Sequence, residues 1–196
     1  MARQGEHRTA IVEAAVRLFR RQGYAATGIN EIATNSGAPK GSLYHYFPGG
    51  KARIGSAAVA LAGETVAATL RQLSGRAGSA AELVCLYGEM LAGWMEASGF
   101  HDGCPIATVL LEAAPSDTDI AEAGRDAFAA WVAAIGSALR RDGAPEDRAD
   151  RLARFAIAAI EGSLLQARIE SSAGPIHETA GELGQMFASA CAMTTA

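Results

Sequence analysis

Apolar residues recur every three or four positions along almost the whole of this 196-residue chain, and β-branched residues never alternate at period two. The first pattern makes one face of a helix and the second makes one face of a strand, so the chain is expected to be all-α. Glycine and proline divide the pattern into about nine helices. The first is expected over about 6–22, with Ile11, Ala15, Leu18 and Phe19 inward and Gly23 as its stop. Thr27 or Gly28 caps a short second helix over about 29–35, and Gly37 makes the turn after it. Pro39 opens a third helix that ends before Pro48. The remaining segments fall at about 51–73, 79–97, 105–114, 117–141, 146–170 and 176–193, each bounded by Gly, Pro or a capping Ser or Asp.

Charge divides the chain differently. Residues 1–53 hold eight Lys/Arg and three Asp/Glu, whereas the rest holds nine Arg and eighteen Asp/Glu. Both lysines, Lys40 and Lys51, lie in the basic part. A small basic module that meets an anion, carried on an acidic body, is the arrangement this asymmetry implies. No uncharged apolar run reaches the length of a membrane span, and the N-terminal stretch carries Glu6 and Glu13, so a cytosolic protein is expected. The three cysteines, Cys85, Cys104 and Cys191, are far apart and odd in number, which argues for buried thiols over a disulfide framework. No G-x-S-x-G, Walker loop, H-E-x-x-H or G-x-G-x-x-G motif is present, so no catalytic residue, metal or cofactor is expected.

The segment GAPKGSLYHYFPGGK, residues 37–51, carries the most chemistry. With Leu43 set inward and about 100° taken per residue, Phe47 and Pro39 fall beside it, and Tyr46 lies somewhat further round. Gly41 and His45 fall opposite, flanked by Ser42 and Tyr44. A helix this short is marginal alone, so its apolar face must rest on the first two helices, through residues such as Phe19, Ile29 and Ile32. The result is a helix-turn-helix whose third helix reads a duplex. Gly41 lets backbone N–H groups approach phosphate, while Ser42, Tyr44 and His45 donate to phosphate or base edges. Lys51 starts the next helix and reaches a flanking phosphate.

The stretch GYAATGINEIATNSGAPKGSLYHYFPGGK resembles the DNA-binding domain of the TetR family of bacterial transcriptional repressors, a likeness that covers residues 8–54 without a gap. It includes Phe19, Gly23, Tyr24, Thr27, Ile32, Ala33, Gly37, Lys40, Gly41, Leu43, Tyr44, Phe47 and Lys51. The extra glycine in FPGGK is similar to the LmrA/YxaF-type branch, as are GCPIATVLLEAAP and AAIEGSLLQARIESSAGPI. The resemblance implies that Thr27 and Asn30 touch backbone or base, and that Lys40, Gly41, Ser42, Tyr44, His45 and Tyr46 form the recognition surface. It implies that Lys51 clamps a phosphate, and Asn30 and His45 become the candidates for sequence choice. The corresponding division is a helix-turn-helix domain over 1–50 and an effector-binding and dimerisation domain over 51–196.

Within the second domain, Phe155, Ala159, Gly162, Ser163 and Gln166 run down one side of the eighth helix, and Ile176, Ala180, Leu183 and Phe187 down the ninth. Two such pairs would make an intermolecular four-helix bundle in a homodimer. The same seam also suits an ordinary core. The family resemblance implies a pocket for a small, mostly apolar effector, of which flavonoids and antibiotics are the kinds suggested. Leu86, Met90, Trp94, Cys104, Leu110, Phe128 and Trp131 are the candidate lining. The expected function is that of a ligand-responsive repressor on a palindromic operator. The alternative is a redox-sensing DNA-binding regulator that uses Cys104 beside a helix N-terminus.

Overall fold

The computed structural model of the chain describes residues 2–192, apart from the side chains of residues 2–4 and 40. Among these residues every regular element is an α-helix: α1 (Ala2–Gln22), α2 (Ile29–Ser36), α3 (Lys40–Tyr46), α4 (Gly50–Ser74), α5 (Ala80–Ala97), α6 (Pro105–Ala113), α7 (Thr118–Arg141), α8 (Glu146–Glu170) and α9 (Gly174–Ala192). The chain folds as two units, residues 1–64 with 104–127, and residues 65–103 with 128–196.

The first unit is built around α1. Ile11, Val12, Ala14, Ala15 and Phe19 are buried on one face of that helix, and Leu18 is half-buried at its edge. The helix ends where Gly23 takes φ +86°, a conformation that favours glycine, and its N–H bonds the Phe19 carbonyl at 3.0 Å. Gly37 closes α2 in the same way at φ +66°. Ile32 and Ala33 of α2, Leu43 and Phe47 around α3, and Ile54 and Ala58 of α4 complete the N-terminal core. Residues of α6 join it as well: Ile106 and Val109 are fully buried, and the Thr108 hydroxyl donates to the Phe19 carbonyl at 3.2 Å.

The second unit centres on α9, which packs against α5 and α8. A Cβ on Gly88 of α5 would lie 2.5 Å from the Ala180 Cβ, so the missing side chain is what lets α5 and α9 approach. Ser79 caps α5 by accepting the Glu82 N–H at 3.0 Å, and Glu82 returns by accepting the Gly78 N–H at 2.7 Å. Tyr87, Leu91 and Met95 of α5, Trp131 and Ile135 of α7, and Leu152 and Ile160 of α8 are buried. None of the described helices is long and apolar enough to cross a membrane.

Candidate nucleic-acid interface

Two side chains anchor α3. Leu43 and Phe47 are almost fully buried, and the Phe47 N–H ends the helix on the Leu43 carbonyl at 2.8 Å. Turning from that anchor, Gly41, Tyr44 and His45 are exposed, and Ser42 and Tyr46 are half-exposed. Tyr44 keeps 58% of its surface in solvent. The His45 ring meets Tyr46 edge-on at 5.1 Å. A Cβ on Gly41 would touch nothing within 4 Å, so the fold itself does not require glycine there. What Gly41 leaves is bare backbone on the outer side of the helix, as close approach to a phosphodiester demands. Asn30 stands exposed in the first turn of α2. The Lys40 side chain lies outside the described residues.

Thr27 departs from expectation. Only 1% of its surface is accessible, and its hydroxyl donates to the Gly23 carbonyl at 2.7 Å. Its oxygen is committed to closing the α1–α2 turn, so Thr27 shapes the reader from within and is not a contact on its face. Gly28 is the N-cap of α2, with no side-chain cap bond.

Lys51 stands one residue into α4, beside that turn. Its Nζ donates to the Ala25 carbonyl at 3.2 Å and lies 4.4 Å from the centre of the Tyr24 ring. Partial burial lowers its pKa from the ordinary lysine value, against the raising pull of the Glu112 carboxylate. Tyr24 in turn meets the Phe19 ring at a tilt, 5.2 Å between ring centres. Burial raises the Tyr24 phenol, with Asp117 and Glu112 adding to the effect. Glu112 Oε1 accepts the Tyr24 N–H at 3.2 Å, and its other oxygen accepts the Ala25 N–H. Glu112 escaped the sequence reading, although a signal was there: it is the one charged residue of α6.

The glycine pair before Lys51 acquires a physical role. Gly50 takes φ +64° and its N–H bonds the Phe47 carbonyl at 2.8 Å, which makes the turn out of α3. Helical side chains lean toward the N-terminus, and the Arg53 stem lies back over Gly49, where a Cβ would come within 2.5 Å of Arg53 Cγ. Arg53 then reaches Asp119 Oδ2 at 2.6 Å. Arg8 adds a further cation near the reader, 5.5 Å from the Phe47 ring.

The candidate effector residues divide between the two units. Leu86 and Met90 are half-exposed on α5, Trp94 is exposed, and Phe128 meets Trp131 edge-on at 5.1 Å in the second unit. Trp131 is core. Cys104 and Leu110 fold with the first unit, where Leu110 fills the space beside Gly124 and Cys104 is the N-cap of α6. None of the three cysteines is fully buried, contrary to expectation: Cys85 is exposed, and Cys104 and Cys191 are intermediate. Although Cys85 is exposed, its Sγ turns toward α9, 3.8 Å from the Ala180 carbonyl and beside Gly184. Among the described residues no three His, Cys, Asp or Glu side chains gather where they could hold a metal ion.

The expected dimer face needs a larger correction. Ile176, Ala180, Leu183 and Phe187 are at most 5% exposed within a single chain, because α9 is spent on its own α5 and α8. Ser163 is buried with them, and its hydroxyl donates to the Ile160 carbonyl at 2.8 Å. Ala159 is half-buried, while Phe155 and Gln166 do face outward. The outer stripe of α8 runs through Phe155, Ala158, Gly162, Leu165 and Ile169, a three-four spacing one step round from the one expected. Phe155, Leu165 and Ile169 are 52%, 61% and 74% exposed.

An all-helical chain whose N-terminal third helix shows a polar face over an apolar anchor defines a class, the helix-turn-helix regulators. Residues 11–58 match the family model of bacterial regulatory proteins of the tetR family, and residues 80–182 that of the C-terminal domain of LmrA/YxaF-like transcriptional regulators. An uncharacterised HTH-type transcriptional regulator of Mycobacterium tuberculosis strain H37Rv is 35% identical over 178 residues, 88% of this chain and 89% of that one. The HTH-type transcriptional regulator LmrA of Bacillus subtilis strain 168 is 31% identical over 172 residues, 88% and 92% of the two chains. Among solved structures, the regulatory protein TetR from Rhodobacter sphaeroides is 26% identical with a TM-score of 0.79, covering 90% of this chain and 96% of that one. A TetR transcriptional regulator from Legionella pneumophila shares the fold, with a TM-score of 0.80 over 90% and 95% of the chains at 21% identity. The chain belongs to the TetR family of transcriptional regulators, in its LmrA/YxaF-like branch.

Proposed function

We propose that the protein is a cytoplasmic, ligand-responsive repressor that binds a palindromic operator as a homodimer. The observation that carries this reading is α3, where buried Leu43 and Phe47 hold Gly41, Ser42, Tyr44 and His45 outward on a basic N-terminal segment. Residues 1–50 read the duplex, with Asn30, Lys40, Tyr46 and Lys51 around that face. Residues 51–196 carry dimerisation and effector binding. The outer stripe of α8, from Phe155 to Ile169, supports a helix-to-helix seam between two copies, since heptad-like spacing with Gly162 at its middle suits close approach. Two readers about 34–36 Å apart then meet successive major grooves. The large side chains of α5 and α7, Met90, Trp94 and Phe128 among them, suit a small, mostly apolar effector of flavonoid or antibiotic type. Effector binding favours a conformer whose readers are wrongly spaced for DNA.

The test is binding of the purified protein to the inverted repeats flanking its own gene, against random duplex at moderate salt. A clear preference, relieved by one compound of an effector panel, is the expected result. No preference over random duplex would end the repressor reading.

A further inference from the structure

Glu112 and Lys51 hold successive peptides of the same turn. The carboxylate accepts the N–H groups of Tyr24 and Ala25, and the ammonium donates to the Ala25 carbonyl at 3.2 Å. The approach of Glu112 is tight: a Cβ on Gly23 would lie 2.8 Å from its Oε1. Two successive backbone N–H groups turned toward one site form a cradle for an anion, and here a side chain from α6 fills it. Glu112 is anchored in turn. Its helix contacts α1, and the Thr108 hydroxyl one turn earlier donates to the Phe19 carbonyl at 3.2 Å. The ammonium that would meet a phosphate is therefore placed by the carbonyl of Ala25, a residue whose N–H is held by Glu112.

We infer that Glu112 is a positioning residue for DNA binding, acting through the backbone turn at Tyr24 and Ala25 to set the Lys51 ammonium for its phosphate contact. The inference rests on the DNA-binding reading of Lys51 and α3. It has a competitor with the opposite sign. A carboxylate near a DNA-facing cation could simply oppose the duplex, and its neutralisation would then raise affinity for every sequence. Positioning predicts a loss instead, because a freed turn leaves Lys51 without a fixed seat and the phosphate contact must then order it.

Glu112→Gln separates these. It keeps the side chain's volume and one acceptor oxygen, but its amide group cannot accept the second N–H. Affinity for a duplex carrying the inverted repeat from the protein's own promoter, read by fluorescence anisotropy across salt concentrations, is expected to fall by about 3–10-fold, as loss of a charge-assisted hydrogen bond and a misplaced cation imply. The dependence of log affinity on log salt should flatten by about one unit, as it should for Lys51→Ala. In a Lys51→Ala background, Glu112→Gln should cost nothing further. Melting curves check the fold of each variant, and where Glu112→Ala does not fold, Glu112→Gln carries the test. Unchanged or raised affinity, an unchanged salt slope, or an undiminished loss in the Lys51→Ala background would each overturn the inference. If the unaltered protein ignores that duplex, the DNA-binding reading itself has failed, and this inference falls with it.

Discussion

Helices α3 and α8 treat their apolar residues in opposite ways. In α3 one short apolar face, Leu43 and Phe47, is buried within its own unit, while Gly41, Tyr44 and His45 are displayed. Helix α8 has two apolar faces. Leu152, Ala156, Ile160 and Ala167 are buried, while Phe155, Leu165 and Ile169 stand in solvent on the other side. A surface helix has one face to bury, and the second face of α8 asks for a partner that a single chain does not supply. On the proposed reading, function in α3 is carried by what is polar and exposed, and in α8 by what is apolar and exposed.

The largest effect that tests this contrast comes from paired substitutions in α9 and α8. Phe187 is wholly buried, so Phe187→Ala should cost about 3–5 kcal/mol of stability, read by thermal or denaturant unfolding. Leu165→Arg, at an exposed site, should leave the helix content in place and convert a dimer to monomers in sedimentation. Operator affinity should then drop steeply, because one reader alone covers half a site. If Leu165→Arg stays dimeric while a substitution elsewhere on the surface splits the protein, the α8 seam is misplaced.

A finer comparison lies within the reader, between His45 and Lys51. Lys51→Ala should weaken binding to all duplexes alike and lower the salt slope by about one unit, since a phosphate contact carries no sequence information. His45→Ala should change the ranking of operator variants by about 1–3 kcal/mol at one base pair, as base contacts do. Competition against a panel of single-base variants reads both. Equal losses at every sequence from both substitutions would dissolve the distinction between them.

How much of this was legible beforehand depended on whether one helix sufficed to show it. The helix boundaries came out close to expectation because Gly23, Gly37, Pro39, Pro48 and Pro145 act on their immediate neighbours, and local chemistry is what a sequence displays. The apolar face of α3 was legible for the same reason. The α8 stripe was not, because Phe155 and Gln166 fit two helical faces about one residue apart, and only the packing of α9 decides which face is left outside. Thr27 looked like a surface hydroxyl until the turn folded its oxygen onto Gly23. Glu112 lies 88 residues along the chain from the Tyr24 N–H it accepts, a separation no local pattern records. Gly49 needed the position of the Arg53 stem.

The smallest effect concerns two tyrosines of the same unit, one displayed and one held. Tyr44 projects into solvent, whereas Tyr24 is packed between Phe19 and Lys51. Burial disfavours the phenolate of Tyr24, and the carboxylates of Asp117 and Glu112 disfavour it further, so its pKa is raised in the fold. An acid whose folded pKa is raised contributes stability that is fully present below its unfolded value, about 10 for tyrosine, and that is lost as the pH rises through the folded value. Between those two values the unfolded chain releases the proton first and is favoured. Unfolding midpoints in denaturant should therefore decline across that alkaline window, and Tyr24→Phe should flatten the decline, with Tyr44→Phe leaving it in place. A decline that survives Tyr24→Phe unchanged would mean that the ring is solvated well enough to ionise in place.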